Sequence, residues 1–291
     1  MIDIKNKGLL NSFTNLTTNS FNKSNLNNQR IYSNVISGKD QTPSFSYLRN
    51  LNCLNYNDLK SMLKYNKINY AAILNEAQNM SEIEIGPVVK LPRPDKRIRE
   101  SISKTLELRK SVRKYSGNLI DLSDFSTILH YSFGTNHNTT KYETAETQGR
   151  YFPSGGGLYP IDVIVFCNKV EQLKRGFYKY QPRTHTLLKI PTKEFKATKF
   201  FPGGIDTENS NFIIFFRYSI SKTYLKYGEL GMMNVFIEIG CMSENFDLVT
   251  SAMGRGSCPI AGFSKQYLEN ILYIDGVDQY LLFSNVCGDE Q

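Results

Sequence analysis

Four short segments of the chain carry residue types that could do chemistry, and the first of them is basic. It reads Arg109-Lys110-Ser111-Val112-Arg113, so that two guanidinium groups flank a hydroxyl group. Charge-assisted and partly bidentate hydrogen bonds from such a set suit a phosphate monoester. If a helix continues through the segment, Arg109 and Arg113 share one face, because they are four residues apart. Taken alone, the segment is also typical of an ordinary solvated basic face.

The second segment is rich in glycine and lies at residues 153–160, with the sequence Pro-Ser-Gly-Gly-Gly-Leu-Tyr-Pro. Glycines let a flat ligand lie against backbone N–H groups, and the flanking prolines hold the turn. The alternative is a flexible connector. The segment lacks the GxGxxG spacing and precedes a predicted strand, so it is not a Rossmann fingerprint, and the chain has no P-loop sequence.

The third and fourth segments lie on either side of a predicted long helix. Lys226-Tyr227 precedes this helix. A lysine that is desolvated in an apolar pocket can act as a general base near neutral pH, and an adjacent tyrosine can relay the proton. Such a pair is common and by itself indicates little. Residues 254–263, with the sequence Gly-Arg-Gly-Ser-Cys-Pro-Ile-Ala-Gly-Phe, are predicted to form a glycine-broken loop after the helix.

Composition argues against several classes of function. The 291 residues include 35 Lys and Arg against 27 Asp and Glu, a net charge of +8, and residues 90–115 alone carry ten basic against three acidic side chains. This concentration favours a local phosphate site over an extended nucleic-acid surface. The five cysteines never have CxxC spacing and the three histidines have no metal-ligand spacing, so we expect no disulfide framework and no metal site. We interpret His130 as structural.

The hydropathy of the sequence argues against a membrane protein. No window approaches the roughly 18 to 20 uncharged apolar residues of a membrane span. The N-terminal residues have no continuous apolar signal core. We therefore expect a cytoplasmic protein.

Hydrophobic periodicity predicts the elements that must position the four segments, and their mixture gives an α+β class. Apolar runs predict strands over residues 161–167 and 212–218 and near 280–286, and alternation predicts a hairpin over residues 176–190. The predicted helices cover residues 96–110, 123–133 with Gly134 as C-cap, 228–253 and 264–272. Residues 135–151 are polar and predicted to form a loop. On the long helix, the residues predicted to face inward are Leu230, Met233, Phe236, Ile237, Cys241, Leu248 and Ala252.

An extended piece with two prolines separates an N-terminal region from the rest of the chain, and we place the boundary near Asp95. Residues 1–50 are rich in Asn, Ser and Thr and are predicted to be irregular, and a helical pattern begins at Asn57. The predicted organisation is an N-terminal extension over residues 1–95, followed by one domain over residues 96–291.

The order of the motifs resembles one known family. Five motifs, taken in their order along the chain, are together similar to the flavin-dependent nitroreductase-like superfamily. They are R-x-S-x-R, PSGGGLYP before a strand, a GxYxY hairpin, KYG before a long helix, and the G-x-G and P-I-x-G-F ending of that helix. Within it, the sequence most resembles the SagB-type branch, the azoline dehydrogenases, from about residue 106 to residue 288. The resemblance implies a nitroreductase-like α/β/α sandwich with a central, mainly antiparallel sheet and a long dimer-forming helix.

The resemblance also implies FMN as the cofactor and a set of site residues. Arg109, Ser111 and Arg113 would hold the phosphate and the ribityl chain, and Lys226 with Tyr227 would carry azoline oxidation. The other implied cofactor-binding residues are Pro153, Ser154 and Gly155 along the isoalloxazine ring, Asn245 on the long helix, and Pro259, Ile260, Ala261 and Gly262 over the redox-active side of the flavin.

The sequence departs from this family's pattern at several positions. Cys241 stands where histidine is common, Glu244 where glutamine is common, and Arg255 where an apolar residue is common. The C-terminal residues CGDEQ are acidic where many members of the family end with a basic residue.

The function that the resemblance implies is an FMN-dependent dehydrogenase. It would oxidise thiazoline or oxazoline rings in a ribosomally synthesised peptide, as in bacteriocin or thiopeptide maturation. The enzyme would be a homodimer and would receive its peptide from a cyclodehydratase or leader-binding partner, with residues 1–95 as a candidate docking region. Two alternatives stay open: an NAD(P)H-dependent flavin reductase for dehydroamino acids, nitro groups or quinones, and a non-catalytic peptide-binding component of a biosynthetic complex.

Overall fold

The computed structural model describes residues 47–48, 56–57, 60–61, 86–94, 98, 100–142 and 145–291, with the backbone alone for residues 137–142, 145–147 and 225. The chain divides into two units, Met1–Tyr65 and Asn66–Gln291, and all elements named below lie in the second unit. The irregular arm predicted over residues 1–50 and the helical pattern predicted from Asn57 lie almost wholly outside the described residues.

An antiparallel seven-stranded sheet forms the centre of the second unit. Its strands are β1 (Val88–Lys90), β4 (Ile161–Cys167), β5 (Gly176–Gln181), β6 (Thr186–Lys189), β7 (Phe212–Ser219), β8 (Gly256–Ile260) and β9 (Gln279–Gly288). The order across the sheet is β1-β6-β5-β4-β7-β9-β8. The edge strand β1 lies before the boundary that the sequence suggests near Asp95.

The two central strands follow directly from apolar runs in the sequence. All seven residues of β4 are buried, and β7 pairs with it from Ile161 opposite Tyr218 to Cys167 opposite Phe212. Burial on both faces explains why these strands are continuous apolar runs rather than alternating ones. The predicted strands over residues 161–167, 212–218 and 280–286 and the hairpin over 176–190 are confirmed.

Helices and coil cover both faces of the sheet. The helices are α1 (Ile102–Leu108), α2 (Leu122–Phe133), α3 (Ser221–Tyr227), α4 (Leu230–Ala252) and α5 (Lys265–Ile271). Residues of α2 and α4 share one hydrophobic core with one face of the sheet. Residues of α5, with Phe200 and Phe201, form a second core on the other face. The α+β class and the large antiparallel sheet expected from the sequence are confirmed.

Three local predictions are wrong. The first helix begins only at Ile102, after the N-cap Ser101, and it ends at Leu108, so the backbone is already extended at Arg109. Residues 135–151 contain a two-stranded hairpin rather than a loop, with strands β2 (Thr135–Tyr142) and β3 (Ala145–Arg150). Residues 256–260 form β8, because their backbone pairs with β9 at the sheet edge.

The inward face predicted for the long helix is also wrong. Phe236 and Ile237 are 56% and 59% exposed, and Met233 is exposed as well. The positions that α4 buries include Val235, Ile239, Met242 and Phe246, together with the polar residues Glu238, Ser243, Asp247, Thr250 and Ser251. The helix therefore has an apolar stripe, made of Met233, Phe236 and Ile237, that no described residue covers.

Candidate functional site

The glycine-rich turn and the Lys226-Tyr227 pair meet. Gly155–Gly157 forms a single 3-10 turn, and Gly156 has a φ of 62°. A Cβ atom at Gly156 would overlap with Nζ of Lys226 and Oη of Tyr227. Glycine is required at this position both for the left-handed backbone and for the close approach of α3. The structure thus brings together two of the four segments that the sequence analysis selected.

Lys226 lies in a desolvated environment. Its side chain is buried, and Nζ donates to the carbonyl oxygen of Gly156 at 3.4 Å. Nζ is also 5.2 Å from the ring centroid of Tyr227. Burial lowers the pKa of Lys226 to about 8, because the charged form loses hydration. A neutral amine that can accept a proton is therefore accessible near physiological pH.

Ser154 ties the turn to the long helix. Its Oγ donates to Oε2 of Glu238 at 2.5 Å and accepts from the backbone N–H of Tyr159 at 2.9 Å. Gly155 lies beside Asn234, whose side chain a Cβ would approach to 3.3 Å. Pro153 lines an open pocket with Cys241, Glu244 and other residues of α4. The second segment therefore runs along one side of α4.

The basic segment is extended rather than helical, and its alternate residues Arg109, Ser111 and Arg113 share one face of it. The backbone at Arg109 is extended, and Ser111 forms a parallel bridge with Ser257 of β8. Val112 is buried. Because successive side chains of an extended segment point to opposite faces, residues 109, 111 and 113 lie on the face opposite Val112. Burial raises the pKa of Cys258, and the charges of Arg113 and Arg109 oppose this rise, which places both arginines near the same strand.

Asp247 supports the first arginine. Its Oδ2 lies 3.7 Å from an Arg109 nitrogen, and its Oδ1 accepts from Oγ of Ser257 at 2.7 Å and from the amide of Asn285 at 3.3 Å. Burial raises the pKa of Asp247, although the bond from Ser257 and the charge of Arg109 oppose the rise. Among the described residues, Arg113 has no carboxylate within ion-pair distance.

The remaining predicted site residues lie on α4 and at the end of β8. The amide nitrogen of Asn245 donates to the carbonyl oxygens of Tyr131 and Ser132, at 3.0 and 2.7 Å, and so fastens α4 to α2. Pro259 and Ile260 close β8 and are half-buried, and Ala261 and Gly262 follow it and are exposed.

Sequence reasoning missed Glu238 and Asp247. Both are acidic residues inside an apolar stretch of the helix, and this is the signal that could have selected them. Ser154, the partner of Glu238, and Arg109, a partner of Asp247, are distant in sequence, so spacing alone does not reveal these pairs. Within the described part of the chain, no helix is long and apolar enough to span a membrane, and no group of three or more His, Cys, Asp or Glu residues is arranged to hold a metal ion.

The fold and the motifs together define a nitroreductase-like protein, and comparison with known proteins gives the family. The Nitroreductase family model matches residues 106–288, and the chain belongs to this family. MJ1384 of Methanocaldococcus jannaschii, named as a nitroreductase, is 26% identical over 172 residues, which cover 57% of this chain and 81% of that protein.

A peptide-processing protein is also among the relatives. The microcin B17-processing protein McbC of Escherichia coli is 28% identical over 134 residues, which cover 43% of this chain and about half, 49%, of McbC. The solved structure of the E. coli microcin synthetase McbBCD complex with truncated pro-MccB17 bound contains a chain with the same fold, at a TM-score of 0.53 and 21% identity, covering 75% of this chain and 82% of that one.

Proposed function

We propose that this protein is an FMN-dependent azoline dehydrogenase, which oxidises thiazoline or oxazoline rings of a ribosomally synthesised peptide to thiazoles or oxazoles. One observation carries the proposal: the buried amine of Lys226, with a pKa lowered to about 8, lies with Tyr227 against the glycine-rich turn. A base is needed at that place, because the ring loses a proton from Cα as well as a hydride from Cβ.

The residues present fit FMN. Arg109, Ser111 and Arg113 lie along one extended segment, with Arg113 exposed and unpaired by any described carboxylate, as a phosphate site requires. Residues 155–157 offer a turn without Cβ atoms against which a flat ring system can lie. When bound there, FMN would supply the two-electron acceptor for the hydride.

The chain's own groups account for the proton. Lys226, when neutral, would take the Cα proton, which the adjacent imine and carbonyl make acidic. Tyr227 stands beside the amine and would orient it or pass the proton on. Burial of Lys226 reduces the hydration of its charged form, so a fraction of the amine is neutral near pH 7.

A homodimer would complete the site. Glu238 and Asp247 are nine residues apart on α4, so they lie on opposite sides of the helix and about 14 Å apart along its axis. Glu238 holds the glycine-rich turn, and Asp247 holds Arg109. The exposed apolar stripe of Met233, Phe236 and Ile237 lies on the face of α4 opposite Glu238. Because one copy holds its arginines and its turn on opposite sides of one helix, we propose that a second copy joined through the stripe supplies the missing half of the site.

The peptide-processing role draws support from the relatives. McbC is named as a processing protein of microcin B17, and the McbBCD structure holds a chain of the same fold in a complex with a pro-peptide. By analogy, this protein would act with a cyclodehydratase or leader-binding partner. Residues 1–95 are proposed as an N-terminal extension that contains the docking region, and within it residues 88–90 add β1 to the sheet of the catalytic domain at residues 96–291.

The test is substitution of the base. Lys226→Ala is expected to abolish azole formation from an azoline-containing peptide, measured by the mass loss of two hydrogens per ring, while FMN stays bound. Lys265→Ala, which removes an exposed lysine of α5, is the matched control and should turn over normally. Normal turnover by Lys226→Ala would exclude the proposed role.

A flavin reductase is the second candidate, because the family and MJ1384 are named for nitro-group reduction. In that case NAD(P)H would deliver the hydride, and a dehydroamino acid, a quinone or a nitro group would accept it. Rapid loss of flavin absorbance on addition of NAD(P)H, in the absence of peptide, would favour this candidate. Slow bleaching by NAD(P)H but fast bleaching by an azoline peptide would favour the dehydrogenase.

A further inference from the structure

Glu238 is a buried acid that the proposed mechanism does not use. Its side chain is only 3% exposed in the middle of α4. Oε2 accepts a hydrogen bond from Ser154, while Oε1 has no hydrogen-bond partner among the described residues. The charged groups near enough to act on it are Arg150 and Lys222, and both favour its ionised form. Burial outweighs them and raises the pKa of Glu238 to about 7.

Ser154 connects Glu238 to the glycine-rich turn, so that protonation of Glu238 affects the turn through this serine. The serine has one hydroxyl proton, which it donates to Glu238, and its oxygen accepts the N–H of Tyr159. Its carbonyl oxygen accepts the N–H of Gly157, which closes the turn. The turn between these bonds contains Gly156, against which Lys226 packs. Glu238 therefore holds the turn from α4, whereas Lys226 contacts it from α3.

The two protonation states of Glu238 cannot make the same hydrogen bonds. An ionised carboxylate accepts from Ser154 in a charge-assisted bond, which is about twice as strong as a neutral one. A proton on Oε2 would compete with the hydroxyl proton of Ser154, and a proton on Oε1 would find no acceptor. Either way, protonation weakens the link between α4 and the turn.

We propose that Glu238 is a positioning residue: through Ser154 it holds the turn at residues 155–157 against Lys226, and it loosens this hold when it takes up a proton. The consequence for catalysis rests on the proposed function, whereas the link itself does not. Because the turn would also line the flavin ring, protonation of Glu238 would also weaken the binding of FMN.

Hydrogen exchange of the Tyr159 amide tests the link without any turnover. In the wild-type protein, protection of this amide, corrected for intrinsic exchange, is expected to fall about fivefold between about pH 8 and about pH 6, the size expected when a charge-assisted bond becomes neutral. Glu238→Gln keeps an acceptor for Ser154 but cannot titrate, so its protection should not change over this range. Glu107→Gln, an exposed acid on α1, is the control and should behave as wild type.

The outcomes separate this inference from the proposed function. A wild-type protein whose Tyr159 protection is independent of pH, or a Glu238→Gln variant that retains the wild-type dependence, would overturn the inference. If the dependence is present and is lost in Glu238→Gln, the inference stands even when no azoline peptide is oxidised. FMN binding gives a second readout: the dissociation constant of wild type should rise toward pH 6, and that of Glu238→Gln should rise less.

Discussion

Arg255 forms an ion pair with Asp289, and the two residues occupy positions at which the sequence departs from the pattern of the family it resembles. The same guanidinium donates to Asp124 in the first turn of α2 at 3.1 Å. The two departures from the family's pattern, Arg255 between the two glycines and the acidic C-terminal residues, are therefore coupled to each other. Together they fasten the last residues of the chain and the start of α2 to the segment before β8.

A double-mutant cycle should detect this coupling. Arg255→Leu removes the ion pairs that the guanidinium forms with the half-buried carboxylates of Asp124 and Asp289, so we expect a loss of about 1–3 kcal/mol in the free energy of unfolding. Adding Asp289→Asn should recover part of the loss, with a coupling energy of about 1 kcal/mol in urea denaturation. Strictly additive effects would show that the pair contributes nothing as a pair.

Two neighbouring glycines offer a matched test of the contact with Lys226. Gly156 and Gly157 both have positive φ, of 62° and 68°, so the backbone strain that alanine introduces should be similar at the two positions, about 1–2 kcal/mol. Only at Gly156 would the new Cβ displace Lys226 and Tyr227, because nothing lies within 4 Å of a Cβ at Gly157. Turnover by Gly156→Ala should fall on the order of a hundredfold below that of Gly157→Ala. Equal turnover by the two variants would argue against a catalytic contact.

The basic segment contains its own control for cofactor binding. Arg113→Ala should weaken FMN affinity about 10- to 100-fold, the value of a charged hydrogen bond to phosphate. Lys110 lies between the two arginines but pairs with Glu290 at 2.5 Å on the exposed side. Lys110→Ala should therefore change the affinity by no more than about twofold. Fluorescence titration with FMN measures both values, and similar losses in the two variants would indicate an unspecific charge effect.

The sequence predicts the sheet well and the faces of the long helix poorly, and the reason is physical. In β4, six of the seven residues are apolar because both faces of the strand are buried, so the run from Val163 to Cys167 itself marks the strand. In α4 the apolar residues are divided between the core and the exposed stripe, and buried positions include Glu238 and Asp247. Their burial depends on partners from distant segments, which periodicity along one helix cannot reveal.

Glu238 should also make stability depend on pH. The folded state holds its proton up to a pKa of about 7, against 4.5 for an ordinary glutamate, so the folded state binds more protons between these values. Stability from this group is present below 4.5 and is lost as the pH rises to 7, by about 3 kcal/mol. Relative to wild type, Glu238→Gln should gain this amount in free energy of unfolding between about pH 5 and about pH 8. A constant difference between the two proteins would mean that the acid does not titrate in this range.

The apolar stripe on α4 predicts the oligomeric state. Ile237 is 59% exposed, and a charge there should prevent two copies from burying the stripe against each other. We expect Ile237→Glu to sediment as a monomer and to lose FMN, because the arginines and the turn would then lie on opposite sides of a single helix. Val277→Glu places the same charge at a residue that is 75% exposed before β9, and it should leave both the dimer and the cofactor intact. A dimeric Ile237→Glu that retains FMN would require another surface to join the two halves of the site.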